Sequence, residues 1–328
     1  MNVTLTGGTG FFGQALLRLI TTDDVPVRAL VRRPGDDAII RALGAEPVRG
    51  DLAVARGVDD LVRDGDVVIH AAAHVDMTGR WADIRRTTVD GTRRLLAAAL
   101  PRAPKRFLYV SSAGVYSRRQ RGPASAADTP ADPPRHDLYC RSKLMAEALV
   151  RDQCERAGCP WTILRLGMLY GPGARAFLRQ VIPLLKARRL FLIGNGNNRV
   201  AATYVEDAAR AVLLAADHPD APRKIYDVVG DEPVTQRELY DTVSDALGLP
   251  RPTERVGLHL ARAFAGIAEI MAHVLGRTPG FNRALVELMN ADQLIDARRT
   301  RDELGWQPRV RFRDGMQRMC DDLTLDCA

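Results

Sequence analysis

The first thirteen residues constrain this chain more than any other stretch. Asn2-Val3-Thr4-Leu5-Thr6 is a short apolar-rich run that leads directly into Gly7-Gly8-Thr9-Gly10-Phe11-Phe12-Gly13. Beyond it Ala15, Leu16, Leu19 and Ile20 follow helical spacing. The order is strand, tight turn, helix. In such a unit Gly7 permits the turn, Gly10 lets the backbone approach a pyrophosphate, and Gly13 lets the helix lie on the strand. The phosphates would rest on the free N–H groups of the helix start, at Phe11 and Phe12. Glycine turns are common, and it is the strand before and helix after that make this one a dinucleotide site.

Apolar runs near Val3, Val27–Val31, Val67–Ala71, Arg106–Val110 and Trp161–Arg165 alternate with helical patterns. Strands and helices taking turns imply an α/β fold with a doubly wound parallel sheet. Residues 1–166 read as the dinucleotide-binding domain and 167–328 as a smaller, mostly helical substrate lobe. Strands near Tyr204 and Ile225–Val229 are expected to return to the main sheet. The segment Gln120–Pro134, rich in Pro, Ala and Ser, reads as a mobile loop over the site.

Tyr139 and Lys143 stand four residues apart in Asp137-Leu138-Tyr139-Cys140-Arg141-Ser142-Lys143. On a helix they share one face. An ammonium near a phenol favours the phenolate and lowers a tyrosine pKa from about 10, giving a proton donor or acceptor usable near neutral pH. Alone, such a pair is usually an ordinary helix surface. In a chain that opens on a dinucleotide turn it is a candidate acid/base.

These two features together resemble the extended branch of the short-chain dehydrogenase/reductase superfamily, the Rossmann-type NAD-dependent epimerases and dehydratases. Val67-Val68-Ile69-His70-Ala71-Ala72-Ala73 looks like the fourth strand, with its small residues beside the cofactor. Phe107 to Tyr116 looks like the fifth strand, ending in the active-site serine, and Leu164 to Gly173 like the passage by the nicotinamide into the substrate lobe. The resemblance implies that Tyr139 is the general acid in reduction and the base in oxidation. Lys143 would tune it and hold the nicotinamide ribose. Ser112 would hydrogen-bond the substrate oxygen, with Ser111 as its rival and a cofactor neighbour. Asp51 and Leu52, Ala71, Ala72 and Ala73, and Leu166 and Met168 would line the cofactor. His74, Ala113 and Met168 would face the substrate, with Asp76 beside His74 as a further candidate, although lone polar loop residues are more often structural. Thr88 stands where many relatives carry asparagine, which puts cofactor or water contacts at that point in question.

Cofactor choice turns on the end of the second strand. NAD-specific members usually carry an acid there. Here Val27–Val31 runs into Arg32-Arg33-Pro34. Arg32 can pair with a 2′-phosphate and Arg33 can stack on adenine, so NADP(H) is expected over NAD(H).

Ala113 and Gly114 occupy the places where sugar-nucleotide dehydratases carry an acidic pair, so elimination lacks its acid and base. Leu166-Gly167-Met168 lacks the asparagine typical of nucleotide-sugar epimerases. Phe191 to Asp207 looks instead like the matching region of 3β-hydroxysteroid and sterol dehydrogenases and of 2-alkyl-3-oxoalkanoate reductases. The expectation is a ketone/alcohol oxidoreductase on a small hydrophobic substrate (steroid-like, β-keto acyl or polyketide-type). A sugar or nucleotide-sugar epimerase is the alternative, and a non-catalytic sensor or assembly protein the remote one. The stretch Leu258–Leu275 carries an apolar face. Packing on the lobe's own core is the plainest reading, with a pocket, an interfacial helix or a dimer surface as rivals.

A net charge of +7 raises the question of nucleic acid, but the arginines are scattered among acids with no basic block beside aromatics. Five cysteines without CxxC spacing indicate neither a disulfide framework nor a metal site. Met1 abuts the first strand, which leaves no room for a signal peptide, and no apolar run reaches membrane-span length. A cytoplasmic protein is expected. The resemblance implies a homodimer through the helical stretches Arg86–Leu100 and Leu138–Ala157.

Overall fold

Val67–His70 and Trp161–Leu166 are buried at every residue. Strands without a polar face must be covered on both sides, the condition met by an inner strand of a parallel sheet. The computed structural model, which describes residues 1–22, 24–54, 56–75, 79–117, 122–275 and 281–325, has that form. The chain runs β1 (Val3–Thr6), α1 (Phe11–Thr22), β2 (Val27–Val31), α2 (Asp36–Ala42), β3 (Glu46–Arg49), β4 (Val67–His70) and α3 (Trp81–Ile84). A π-helical turn (Arg85–Val89), α4 (Asp90–Ala99), β5 (Arg106–Ser112), a 3-10 turn (Ala113–Val115), α5 (Leu138–Arg156) and β6 (Trp161–Leu166) follow. Then come β7 (Met168–Tyr170), α6 (Arg175–Lys186), β8 (Leu192–Ile193), β9 (Ala202–Tyr204), α7 (Val205–Asp217) and β10 (Lys224–Val228). The chain ends with α8 (Gln236–Leu247), β11 (Arg255–Val256), α9 (Leu258–Val274), α10 (Arg283–Asn290), α11 (Arg298–Leu304) and α12 (Phe312–Leu325).

The main sheet has the order β3-β2-β1-β4-β5-β6-β10, and its pairs are parallel. The strand order reverses between β1 and β4, which opens a crevice at their carboxyl ends. Side-chain alternation divides β5 between two cores. Leu108 and Val110 join α1 and α7 on one face, and Phe107 and Tyr109 join α4 and α5 on the other. The return of Ile225–Val229 is β10, on the edge beside β6. The segment near Tyr204 does otherwise: β9 pairs with β7 in a separate two-stranded sheet. Tyr204 and Tyr170 thereby enter a third core with Phe312 and Met316, so their aromatic bulk closes the lobe instead of extending the sheet.

Residues 122–134, expected as a mobile loop, are anchored at two points: Ala124 exchanges backbone hydrogen bonds with Leu294 and Asp296, and Ala126 N–H donates to the Asp227 carboxylate. Gln120 lies outside the described residues. Helix α9 turns its small residues Ala261 and Ala265 inward and leaves its large apolar ones exposed, so its apolar face is not packed on the lobe's core. Among the described residues no helix is long and apolar enough to cross a membrane, and no cluster of His, Cys, Asp and Glu is arranged for a metal.

The turn at the crevice is built by backbone contact. Gly7 has φ +82°, and a Cβ there would sit 2.8 Å from the backbone of Ala71 and Ala72. A Cβ on Gly13 would lie 2.0 Å from the Gly7 carbonyl, whereas one on Gly10 would lie 3.3 Å from it. Gly13→Ala is therefore expected to destabilise the protein by at least the ~1–3 kcal/mol typical of overpacking, and Gly10→Ala to leave stability nearly unchanged. Thermal unfolding checks this; equal midpoints for the two variants would rule out the packing described.

Candidate active site

The crevice is bordered by the glycine turn, the end of β4, the end of β5 and the first turns of α5. Gly10 is exposed at the start of α1, where the N–H groups of Phe11 and Phe12 have no carbonyl four residues back within the helix. The side chains of Phe11 and Phe12 pack into neighbouring cores, so these residues offer only backbone to the crevice. This turn fits a dinucleotide pyrophosphate. The fold itself demands glycine at positions 7 and 13, and the open, exposed position 10 is where a bulky anion would come close.

The bordering residues are fixed by one buried polar relay. Ala72 N–H donates to Thr6 Oγ1 at 3.3 Å, and Thr6 Oγ1 lies 2.7 Å from His70 Nδ1. His70 Nε2 lies 2.9 Å from Thr92 Oγ1, which spends its own proton on the Thr88 carbonyl at 2.5 Å. Thr92 must therefore accept from Nε2–H, which leaves Nδ1 to accept from Thr6. Burial, reinforced by the Lys143 charge, pushes His70 down to about 3, so the imidazole is neutral. Thr88, buried in the π-turn, uses its hydroxyl to accept from the His74 N–H at 3.1 Å. The threonine hydroxyl thus orders the chain after β4, a contact that needs one acceptor and no amide. His74, Ala71, Ala72 and Ala73 are half-buried along this edge, while Asp76 lies outside the described residues. The sequence reading missed His70 as an organiser, although a histidine inside an apolar strand run was a visible signal.

On the opposite edge, α5 begins at the N-cap Asp137, whose carboxylate accepts from Cys140 N–H at 2.9 Å. Tyr139 is in its first turn and Lys143 one turn on. Lys143 Nζ donates to the Val110 carbonyl at 2.7 Å and lies 6.0 Å from the Tyr139 ring centre and 5.0 Å from that of Tyr109. Burial lowers Lys143 to about 8 against the raising effect of Glu147. The Tyr139 phenol is shifted upward, by burial first and then by Cys140 and Asp137. This corrects the expected lowering: in the protein alone desolvation dominates, and the phenol stays protonated at neutral pH.

Alternation along β5 separates the two serines. Ser112, half-buried at the strand's end, accepts from Gly114 N–H at 3.1 Å, so its hydroxyl proton is left to donate. Ser111, expected beside the cofactor, turns its hydroxyl away and donates to Glu147 Oε1 at 2.5 Å. Glu147 is bound by Arg165 through two bonds, 3.0 and 2.7 Å. Arg165 also donates to the Tyr116 phenol at 3.0 Å, and that phenol donates to Asp227 at 2.8 Å. Sequence reasoning missed this network, though Glu147 continues the Tyr139, Lys143 spacing and Arg165 interrupts an apolar strand.

The remaining candidates lie apart or deeper. Arg32 and Arg33 are exposed just beyond β2. One carboxylate oxygen of Asp51 accepts from Ala53 N–H at 2.8 Å. Leu52 is buried in the core, its carbonyl held by Arg94 at 2.7 Å. Leu166 is buried beside Ser112 in the sheet register, and Met168 opens β7 half-buried. Ala113 packs with Ala201, Val229 and Ile295 in a small, largely buried apolar cluster next to Ser112. Ile295 carried no sequence signal, because only the folded chain brings it there.

A glycine turn at a sheet switch point, with a serine at the end of β5 and a tyrosine and a lysine one turn apart on α5, is the arrangement of an extended short-chain dehydrogenase/reductase. The model described as "NAD dependent epimerase/dehydratase family" matches residues 3–229, and this chain belongs to that family. It is 27% identical over 321 residues to the 4-hydroxy-2-methyl-3-oxo-4-farnesyl-3,4-dihydroquinoline-1-oxide ketoreductase of Stigmatella aurantiaca, covering 96% of this chain and 95% of the relative. To the 2-alkyl-3-oxoalkanoate reductase of Stenotrophomonas maltophilia it is 28% identical over 328 residues, covering 97% and 98%. Among solved structures, MoeE5 in complex with UDP-glucuronic acid and NAD superposes with TM-score 0.77 at 23% identity, over 99% of this chain and 100% of that one. This last likeness is one of fold.

Because Lys143 is cationic below about pH 8, a cofactor contact that needs its charge weakens as pH rises through that value. The kcat/KM for the nicotinamide cofactor reports the free enzyme and is expected to fall between pH 7 and 9. A flat profile over that range would detach Lys143 from cofactor binding.

Proposed function

We propose that this chain is an NADP(H)-preferring ketoreductase that interconverts a ketone and a secondary alcohol on a hydrophobic substrate. The reading is supported by Tyr139 and Lys143 lying together on the inward face of α5, with Lys143 tied to Val110 of β5, and by the Ser112 hydroxyl at the end of that strand, which accepts from Gly114 N–H and keeps its proton to donate. When bound, the nicotinamide supplies or accepts the hydride. Tyr139, held protonated, donates its phenolic proton to the carbonyl oxygen in reduction and takes it back in oxidation. Ser112 donates a hydrogen bond to that oxygen as negative charge grows there. Lys143 holds the nicotinamide ribose and offsets the phenolate that Tyr139 becomes. Gly10 and the N–H groups of Phe11 and Phe12 would hold the pyrophosphate.

The preference for NADP(H) rests on Arg32 and Arg33, exposed at the end of β2 where NAD-binding relatives usually carry an acid. The hydrophobic substrate is supported by the alkyl and farnesyl compounds named for the relatives. Steroid-like, β-keto acyl and polyketide-type ketones are the candidates. The family description gives a second reading, an epimerase that oxidises and re-reduces one carbon of a sugar or nucleotide sugar. Net cofactor turnover separates the two.

Titration with NADPH and NADH, then absorbance at the nicotinamide band with 3-keto steroids, β-keto esters and UDP-sugars, tests the proposal. Net NADPH oxidation with an apolar ketone is expected; isomerisation of a UDP-sugar without net consumption would replace it with the epimerase. Tyr139→Phe is expected to lose about 10²–10⁴-fold in turnover, the size of a general-acid contribution, while still binding cofactor. Arg32→Ala is expected to raise KM for NADPH about 10–100-fold, the loss of one charge-assisted hydrogen bond, and to spare NADH. Equal effects on both cofactors would remove the 2′-phosphate assignment.

A further inference from the structure

Helix α9 is amphipathic in the inverted sense. Its inward positions are small, Ala261, Ala265 and Ala272, all buried. Its large residues point outward: Leu260, Phe264, Ile267, Ile270, Met271 and Val274 are each between 52% and 77% exposed. Among the exposed, described side chains of this helix only His259 is polar. A helix that needed only to cap its lobe would bury its large side chains and expose charge. The exposed fractions, with Leu275 just beyond the helix, amount to roughly 700 Å² of apolar surface, above the ~300–600 Å² of the largest patch on a typical monomer.

The pattern is symmetric about one residue. Reversing the helix end for end at Ile267 sets Leu260 against Val274, Phe264 against Ile270, and Ala263 against Met271, so that small faces large. The repeat Leu260, Ile267, Val274 is spaced by seven, the period at which two helices keep one seam in contact. Such self-complementarity is what a twofold contact between identical chains requires, because each residue i that meets j is matched by j meeting i. Area agrees: roughly 700 Å² covered on each of two copies totals about 1,400 Å², within the range of specific protein–protein contacts. Charge agrees as well. Arg262 is paired with Glu287 at 2.6 Å and Glu269 with Arg283 at 2.7 Å, so the charged residues of α9 are satisfied within their own chain. A helix that lies on a lipid surface keeps its cations free for headgroups; here the helix's arginine is spent on α10.

We propose that the outer face of α9 seats α9 of a second copy of this chain, antiparallel, with the twofold axis passing at Ile267. This contact is separate from the helices α4 and α5, which pack on each other and on the main sheet, and it does not depend on the catalytic reading.

The test uses the full chain. Light scattering after size exclusion should give Ile267→Glu half the mass of the unmodified protein. Ile267 is exposed, so the change should leave the far-UV circular dichroism and the cofactor affinity intact. Ile267→Cys should form an intermolecular disulfide under mild oxidation, because only a residue on the axis meets itself, while Val274→Cys alone should not. Cys140, Cys154, Cys159 and Cys320 are buried and give little background, and the fifth cysteine, Cys327, outside the described residues, is replaced by serine in both cross-linking variants. An unmodified chain that is monomeric, an Ile267→Glu variant of unchanged mass, or cross-linking at position 274 in preference to 267 would each overturn the proposal. So would a monomer that sediments with phosphatidylcholine–phosphatidylglycerol vesicles and loses that binding in Ile267→Glu.

Discussion

The geometry of the candidate active site hangs on one buried carboxylate. Glu147 is held by two bonds from Arg165 on β6 and accepts the Ser111 hydroxyl from β5, with both members of the ion pair almost fully enclosed. Taking such a pair out of water is costly, and removing one partner typically destabilises by about 3–5 kcal/mol because the other charge is left buried alone. Its value here is positional. Glu147 is two turns along α5 from Tyr139 and one from Lys143, so pinning it to two strands fixes the rotation and height of the helix that carries both. Lys143 adds a third tie through the Val110 carbonyl. The face of α5 that carries Tyr139 and Lys143 is held in place because the opposite contacts are expensive to break.

Across the crevice the same economy is achieved without charge. Gly7 and Gly13 let three backbone segments approach at distances no Cβ would allow. The neutral His70 relay then joins the ends of β1 and β4 to the π-turn. A protonated imidazole would have nothing to accept from Thr6, so the low pKa and the hydrogen-bond directions require each other. One wall is therefore fixed by steric necessity and a neutral relay, and the other by an ion pair. Next to Ser112 the small apolar cluster of Ala113, Ala201, Val229 and Ile295 closes the end of β5, and such surroundings make each remaining polar contact stronger.

Much of this was legible in the chain. The doubly wound sheet follows from apolar runs alternating with helical patterns, and the glycine turn and the Tyr139–Lys143 spacing mark the two walls of the crevice. These signals are local, each contained within a few turns or one strand. What misled the reading was burial. The Tyr139 phenol was expected low because its lysine is visible in the sequence, whereas the desolvation that raises it is a property of everything packed around it. Tyr204 was expected in the main sheet because a short apolar run does not say which strand it will meet. The Leu258–Leu275 face was read as core because a stripe of large apolar residues ordinarily is one.

The sequence by itself determined the dinucleotide turn, the order of strands and helices, and the spacing that puts Tyr139 and Lys143 on one face, since each is set by residues near one another in the chain. Only the tertiary structure decided which serine keeps its proton, that His70 is neutral, that Glu147 anchors the catalytic helix, and that Ile295 reaches Ala113 from the far end of the chain. Those facts depend on desolvation and on contacts between segments separated by tens to nearly two hundred residues. Solvent exclusion and long-range contact are fixed by the closing of the whole fold, and no local stretch of sequence contains them.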